Sequence, residues 1–222
     1  MNHLCISNYN TELLWLGDYK NSYTIYDRSD NLDLKIKYPI TKSPNVGYNI
    51  YDILTFIIDN YENIPEVTTF CKGNIFPRHL QKEKFEELMN NKFFTPLFDY
   101  TLHTPYMPVC MFSSDGMWSE INNDWYLNES KPKKYFSSYN SFLEFIFENP
   151  IKPSYVTFAP GANYVVPKNY ITKYNIEFYI NLRKFVEHHQ FSVESHIIER
   201  ALPTIWLGNF KINQNMKKIL SL

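Results

Sequence analysis

Cysteine is scarce: Cys5, Cys71 and Cys110 stand far apart and no CxxC pair occurs. An odd, scattered set is a poor disulfide framework and excludes a cysteine-rich zinc site. A reducing cytoplasm is the compartment expected. Long apolar runs are missing too. Stretches such as Ile53 to Ile58 span about six residues, far short of the ~20 needed to cross a bilayer. The opening residues, MNHLCISNYN, show no basic region followed by an apolar one, so no signal peptide is expected. An excess of positive charge is also absent. Lys+Arg number 22 against 23 Asp+Glu, for a net charge of -1. Generic phosphate-backbone binding needs a basic field, so no nucleic-acid partner is expected.

What is present fits one globule, residues 1–222. A chain of 222 residues should bury roughly 70% of its unfolded surface. Apolar residues make up 44% and charged residues 20%, which argues against disorder. The 18 Tyr and 17 Phe stand out against only 6 Gly. They reflect either codon bias in an A+T-rich genome or a carbohydrate-handling surface, since aromatic rings stack on sugar faces.

Apolar spacing predicts strands at 3–8, 23–26 and 68–71, with a short helical or extended turn at 12–16. Residues 31–46 read as a loop through Pro39 and Pro44. The first strong helix covers 50–61, where Ile50, Ile53, Leu54, Ile57 and Ile58 recur at helical spacing, capped by Asn45 or Asn49. Further helices are expected at 82–90, 141–147, 176–188 and 193–202. Ser192 is the predicted cap of the last, and Pro203 its kink or end. Short strands at 156–158 and 164–166 flank a Pro160-Gly161 turn. The span 92–137 reads as loops with short strands near 106–112. Alternating strands and helices argue an α/β fold with a mainly parallel sheet covered on both faces.

In open α/β sheets ligands gather at the carboxyl ends of the strands. Three such ends are polar: Asn8-Tyr9-Asn10, Asp27-Arg28 and Lys72-Gly73-Asn74. They form a pocket or are ordinary solvated loop starts. Tyr9 suits base stacking and Asp27 a base or ribose hydroxyl; otherwise they are a surface aromatic and a turn residue. Lys72 and Arg28 suit a diphosphate, or are solvated cations. Small residues in Phe158-Ala159-Pro160-Gly161-Ala162-Asn163-Tyr164 let a ligand or backbone approach closely. Glu194, His196, Glu199 and Arg200 share one predicted helix, with 196 and 199–200 one turn apart. A carboxylate there is a general base or half of an exposed ion pair. Metal ligation has little support. Asp30 and Asp33 read as solvated loop residues. Asp115, in Ser113-Ser114-Asp115-Gly116, is a ligand or, preferably, a turn residue. His188-His189 reads as a helix-dipole partner.

Two stretches carry a resemblance. Residues 45–76 read NVGYNIYDILTFIIDNYENIPEVTTFCKGNIF. Residues 158–182 read FAPGANYVVPKNYITKYNIEFYINL, followed at 194–208 by ESHIIERALPTIWLG. Together they resemble the DUF3431 family, which is related to GT-A-type glycosyltransferases. The matching features are the Asn-x-Gly turn, the helix ending in Tyr, the strand ending Phe-x-x-Gly, the Gly-Ala turn with its Val-Pro step, and the Glu-Arg…Trp ending. The chain departs from the family pattern at Asn49, where an acidic residue is usual, and at Lys72, where Gln is usual. It also reads Pro77-Arg78-His79 where an Asp-His pair is frequent.

The resemblance implies a compact GT-A-like (Rossmann-like) domain. Residues 1–80 would be its nucleotide-sugar half and 151–210 its acceptor and catalytic half. It implies hexosyl or deoxyhexosyl transfer from a nucleotide-sugar to a glycan or protein-linked glycan acceptor in glycan biosynthesis. Glu199 would be the base, with Glu194 and Asp115 as alternatives, and Arg200 and Lys72 would stabilise the leaving group. The donor would meet Asn8, Tyr9, Asn10, Asp27, Arg28, Gly47, Asn49, Lys72, Gly73 and Asn74. The acceptor would meet Gly161, Ala162, Asn163 and Tyr164. Mn²⁺ or Mg²⁺ is the expected cofactor, with Asp115 its candidate ligand. The departures suggest the alternative of partly or wholly metal-independent donor binding, with Lys72 and Arg78 replacing the ion. The rivals are a degenerate sugar- or nucleotide-binding module and a nucleotide-sugar hydrolase.

Overall fold

The computed structural model describes residues 1–105, 107–122, 127 and 132–218. Its central sheet has six strands. In chain order they are β1 (His3–Asn8), β2 (Tyr23–Asp27), β3 (Ile40–Lys42), β4 (Val67–Lys72), β5 (Thr95–Pro96) and β9 (Tyr164–Pro167). The spatial order is β3-β2-β1-β4-β9-β5. The first four run parallel, while β9 is antiparallel to both neighbours. The sheet is therefore mixed but mainly parallel. A smaller antiparallel sheet joins β6 (Cys110–Phe112), β7 (Trp118–Ile121) and β8 (Tyr155–Phe158) in that order.

Both faces of the large sheet are covered. Along β1, Leu4 and Ile6 join one apolar cluster while Cys5 joins the other, the period-two alternation of a strand. Helix α2 (Tyr48–Asp59) closes one face with Ile50, Ile53, Leu54, Phe56 and Ile57 buried. Each such side chain contributes roughly 1.5–3 kcal/mol on burial. This helix begins earlier than its apolar spacing suggests. Its cap is Gly47, in the left-handed region at φ 63°, not Asn45 or Asn49. A Cβ at Gly47 would lie 2.9 Å from Val186, in the neighbouring helix α6 (Ile176–Val186).

Several expectations are corrected. Residues 31–46 are not a plain loop. Asn31 caps α1 (Leu32–Lys37) by accepting from the Asp33 and Leu34 amides, and β3 follows. The strands flanking Pro160-Gly161 do not pair with each other; β8 lies in the small sheet and β9 in the large one. The intervening loop crosses between sheets. Pro203 does not end its helix, since α7 runs Val193–Leu207. An interior proline costs about 3 kcal/mol. Ile205 and Trp206, fully buried beyond it, offset that cost at roughly 1.5–3 kcal/mol per large apolar side chain. Ser192 does not cap α7 by side chain; its hydroxyl meets Ser195 Oγ.

Among the described residues, the further α-helices α3 (Lys82–Leu88), α4 (Tyr139–Ile146), α5 (Lys168–Ile171) and α8 (Gln214–Lys218) pack around these layers. Of the span 92–137, read from sequence as loops, residues 106, 123–126 and 128–131 lie outside the described residues. All three cysteines are buried and none forms a disulfide. Among the described residues, no helix is long and apolar enough to cross a membrane.

Candidate functional site

Strand register assembles the site. Asn8 stands beside Asp27, Ser7 beside Lys72, and Asp27 beside Lys42. The parallel strands therefore end along one edge. Because β9 runs the other way, its first residue Tyr164 pairs with Phe70. The loop entering β9 thus arrives at that same edge. Asn163 fastens it there: its Oδ1 accepts the Lys72 amide at 3.0 Å, and its Nδ2 donates to Pro160 O at 3.0 Å.

Three cavities follow this edge as one groove. The outer one, about 530 Å³, opens between Tyr9, Asn10, Arg28 and Lys42. Tyr9 and Arg28 also bound a middle space of about 210 Å³, with Asn74 beside them. Lys72 and Tyr48 then lead into an inner cavity of about 540 Å³. Arg78, Gly161, Glu199 and Arg200 face this last space. The outer and inner volumes suit a small-molecule ligand.

The outer floor is rigid and polar. Asn8 donates to Asp27 Oδ1 at 2.8 Å, and Asp27 Oδ2 accepts the Ser29 amide at 3.0 Å. Asn8 and Asp27 are fully buried, so they support the groove instead of offering groups to a nucleoside. Gly73 has no space for a side chain, since a Cβ there would fall 2.1 Å from Asn8 Oδ1. Arg28 is held by Asp52, a fully buried carboxylate of α2, at 3.2 Å. Asp52 also accepts from the Ser7 and Ser43 hydroxyls. Burial lifts its pKa to about 6, against the downward pull of Arg28 and the two serines.

The inner cavity concentrates charge. Burial lowers the Lys72 pKa to about 8; Glu199 opposes the shift while Arg78 and Arg28 add to it. Beside it His79 is 5% exposed, and among the described residues neither ring nitrogen has a hydrogen-bond partner. Burial, then Lys72 and Arg78, hold its pKa at about 3, so it is neutral. Glu199 accepts the Gly161 amide through Oε1 at 2.7 Å. Its Oε2 lies 3.1 Å from Arg200 Nη1 and 3.8 Å from His196 Nδ1. Burial would raise its pKa, but His196, Arg200 and Lys72 outweigh burial and hold it at about 2. Arg200 also pairs through Nε with buried Glu120 and stacks 4.5 Å over the Phe158 ring.

The sequence-chosen residues divide clearly. Tyr9, Asn10, Arg28, Lys72, Asn74, Asn49, Gly161, Glu199 and Arg200 line the groove. Gly47 caps α2 and donates to His189 O. Ala162, Asn163 and Tyr164 are fully buried. They shape the turn, with the Tyr164 hydroxyl accepting the Ala159 amide at 2.6 Å, and do not face an acceptor. Of the three carboxylates offered as base, Glu199 alone is at the cavity. Glu194 is buried at the start of α7, accepting the Lys134 and Tyr135 amides and facing His188 at 2.9 Å. That contact also sets His188 apart from a mere dipole partner. Asp115 accepts from Ser113 Oγ at an exposed turn.

Sequence reading missed Asp52, Phe98, His103, Trp118 and Glu120. Trp118 and Glu120 are two apart on β7, the spacing that sends two side chains to one face. A divalent metal does not fit the inner cavity. Its carboxylates, Glu199 and Glu120, are both paired with Arg200, and Lys72 and Arg78 add positive charge beside them. Among the described residues, no group of three or more His, Cys, Asp or Glu converges on a common point.

No curated protein and no solved structure matches the chain. The family model described as Protein of unknown function (DUF3431) matches residues 5–218. That span is nearly the whole chain, and the protein belongs to the DUF3431 family.

Proposed function

We propose that this protein is a glycosyltransferase moving a sugar from a nucleotide-sugar donor to an acceptor hydroxyl. The observation that carries the reading is the position of Lys72. It stands where the groove along the parallel strand ends meets the cavity holding Glu199. A donor has the same three parts in the same order: a nucleoside, a diphosphate and a sugar. Tyr9 and Asn10 suit the nucleoside; Arg28, Lys72 and Arg78 suit the diphosphate; the inner cavity takes the sugar.

In the reaction, the acceptor oxygen attacks the anomeric carbon. The bond from that carbon to the phosphate oxygen breaks, and the nucleoside diphosphate leaves with the electron pair. Lys72 and Arg78 offset the charge that develops on it, the role of preorganised electrostatics in catalysis. The hydroxyl proton passes to Glu199. This carboxylate is ionised at any physiological pH, so it is always ready to accept, although a low pKa makes it a weak base. Its negative charge also opposes the positive charge growing at the anomeric carbon. The cations Lys72 and Arg78 at the diphosphate position support a metal-independent reaction. Activity retained in excess EDTA supports that; complete loss, restored by Mn²⁺, contradicts it.

Glu199 has both oxygens engaged, and that favours a second reading, a non-catalytic sugar- or nucleotide-binding module. One assay separates the readings. Nucleotide-sugars are incubated with and without a glycan acceptor, and nucleoside diphosphate and glycosylated product are both measured. Product formation supports the transferase. Nucleoside diphosphate without product identifies a hydrolase, and donor binding without turnover identifies the module.

A further inference from the structure

A proton that reaches Glu199 has to leave it again, and the neighbours of that carboxylate decide where it goes. Oε1 accepts the Gly161 amide, while Oε2 lies 3.1 Å from Arg200 Nη1 and 3.8 Å from His196 Nδ1. A backbone N–H only donates, and a guanidinium stays charged at every pH a protein meets. Lys72, whose pKa is about 8, already carries its proton at neutral pH. His79 also feels the Glu199 charge, but its surroundings hold its pKa at about 3, so it takes up no proton there. Among these neighbours His196 is the one suited to accept, because imidazole is the side chain that ordinarily titrates near neutral pH.

The fold places His196 for that role. It stands one turn before Glu199 on α7, the i, i+3 spacing that puts two side chains on one helix face. Its ring and the Glu199 carboxylate both line the inner cavity. Tyr48, at the start of α2, packs on the ring with centroids 5.1 Å apart and planes at 56°. Two helices thus set the orientation of the imidazole. Its side chain keeps 15% of its surface exposed, so a proton on the ring has a way to water.

From this arrangement we infer that His196 is a proton relay: it takes the acceptor's proton from Glu199 Oε2 and passes it to solvent. The inference rests on the glycosyltransferase reading and supplies the second half of the proton's path. The steps balance. The hydroxyl O–H bond breaks as its oxygen bonds the anomeric carbon, and the proton reaches Oε2. It then moves to the Nδ1 lone pair of a ring protonated at Nε2. The resulting imidazolium returns one proton to water, and the protein gains or loses no electron. Glu199 suits the middle of such a path and not its end. Its pKa of about 2 disfavours the protonated carboxyl about 10⁵-fold at pH 7. Separations such as the 3.8 Å seen here tighten when substrate binds.

The test compares the full chain with His196→Ala, His196→Gln and Glu199→Gln. A panel of nucleotide-sugars is incubated with mono- and disaccharide acceptors, and glycosylated product is measured. Nucleoside diphosphate binding is followed separately by calorimetry. Both His196 variants should lose about 10²- to 10³-fold in kcat, with donor KM and nucleotide affinity within about twofold of the unchanged protein. Added imidazole should restore turnover to His196→Ala, and substituted imidazoles should do so in order of their basicity. None should act on Glu199→Gln. A merely structural histidine would show no such dependence on basicity. If His196→Ala fails to fold, the kcat-against-KM split of His196→Gln decides. Near-normal kcat in His196→Gln, or a His196→Ala protein that binds nucleotide yet gains nothing from any imidazole, overturns the relay and leaves the transferase reading standing. No product from the unchanged protein with any donor overturns both.

Discussion

The Gly161 amide donates to Glu199 at 2.7 Å, joining the loop that crosses between the two sheets to helix α7. The Gly161 carbonyl accepts from Asn49 Nδ2 at 2.7 Å, which adds α2. One residue thus fixes the distance between the cation-rich strand end and the carboxylate proposed to receive the proton.

Gly161 should tolerate no side chain. Its φ is +83°, and a Cβ would sit 2.7 Å from Asn163 Nδ2 and 3.0 Å from His79 Nε2. Gly161→Ala should cost about 1–3 kcal/mol, read as a lower urea midpoint. An unchanged midpoint would show that the loop is not held as described.

Glu199→Gln keeps an oxygen for the Gly161 amide and removes the negative charge. Turnover should fall by about 10²- to 10⁴-fold, the usual contribution of a general base, with nucleotide affinity nearly unchanged. Near-normal turnover would remove Glu199 from the reaction.

Lys72 titrates at about 8. A lysine binds phosphate best when charged, so nucleoside diphosphate affinity should fall as pH rises from 7 to 9. Arginine stays charged throughout, and Lys72→Arg should flatten that profile. A profile with the same slope in both proteins would exclude Lys72 as the titrating group.

His79 links the site to acid stability. Its folded pKa is about 3 against a usual value near 6.5. The unfolded chain therefore binds the extra proton between those values, and stability falls on acidification by up to ~1.4 kcal/mol per pH unit. Asp52 acts oppositely. Its folded pKa is raised to about 6, so the stability it contributes is present at low pH and lost as pH rises through 6. His79→Gln removes the first effect and leaves the second. Its urea midpoint should drop less than that of the unchanged protein between pH 7 and pH 5. Equal drops would contradict a buried neutral imidazole.

Local pattern made part of this legible. The apolar spacing of Ile50, Ile53, Leu54 and Ile57 announces α2, and the short β-rich runs announce β1 and β4. Polar strand ends then pointed to Tyr9, Arg28 and Lys72. Other features depend on partners distant in sequence. Asp52 sits in an apolar helix, and its role emerges only when Ser7, Arg28 and Ser43 close around it. Asn8 and Tyr164 look like site residues in a string of letters, yet strand register buries both. Trp118 and Glu120 belong to a short strand without strong periodicity, so neither stands out in the sequence. Pro203 breaks a local rule because the burial of Trp206 against Phe70 and Tyr164 outweighs it.

Whether the groove is a nucleotide-sugar site is decided by a thermal-shift series. Nucleoside diphosphates and nucleotide-sugars are each added with Mn²⁺ and with EDTA. A ligand at 100 times its Kd stabilises the fold by about 2.7 kcal/mol, a shift of several degrees for a chain of this size. The expected result is a selective shift with one nucleotide-sugar that persists in EDTA. No shift with any of them, in either condition, would contradict it.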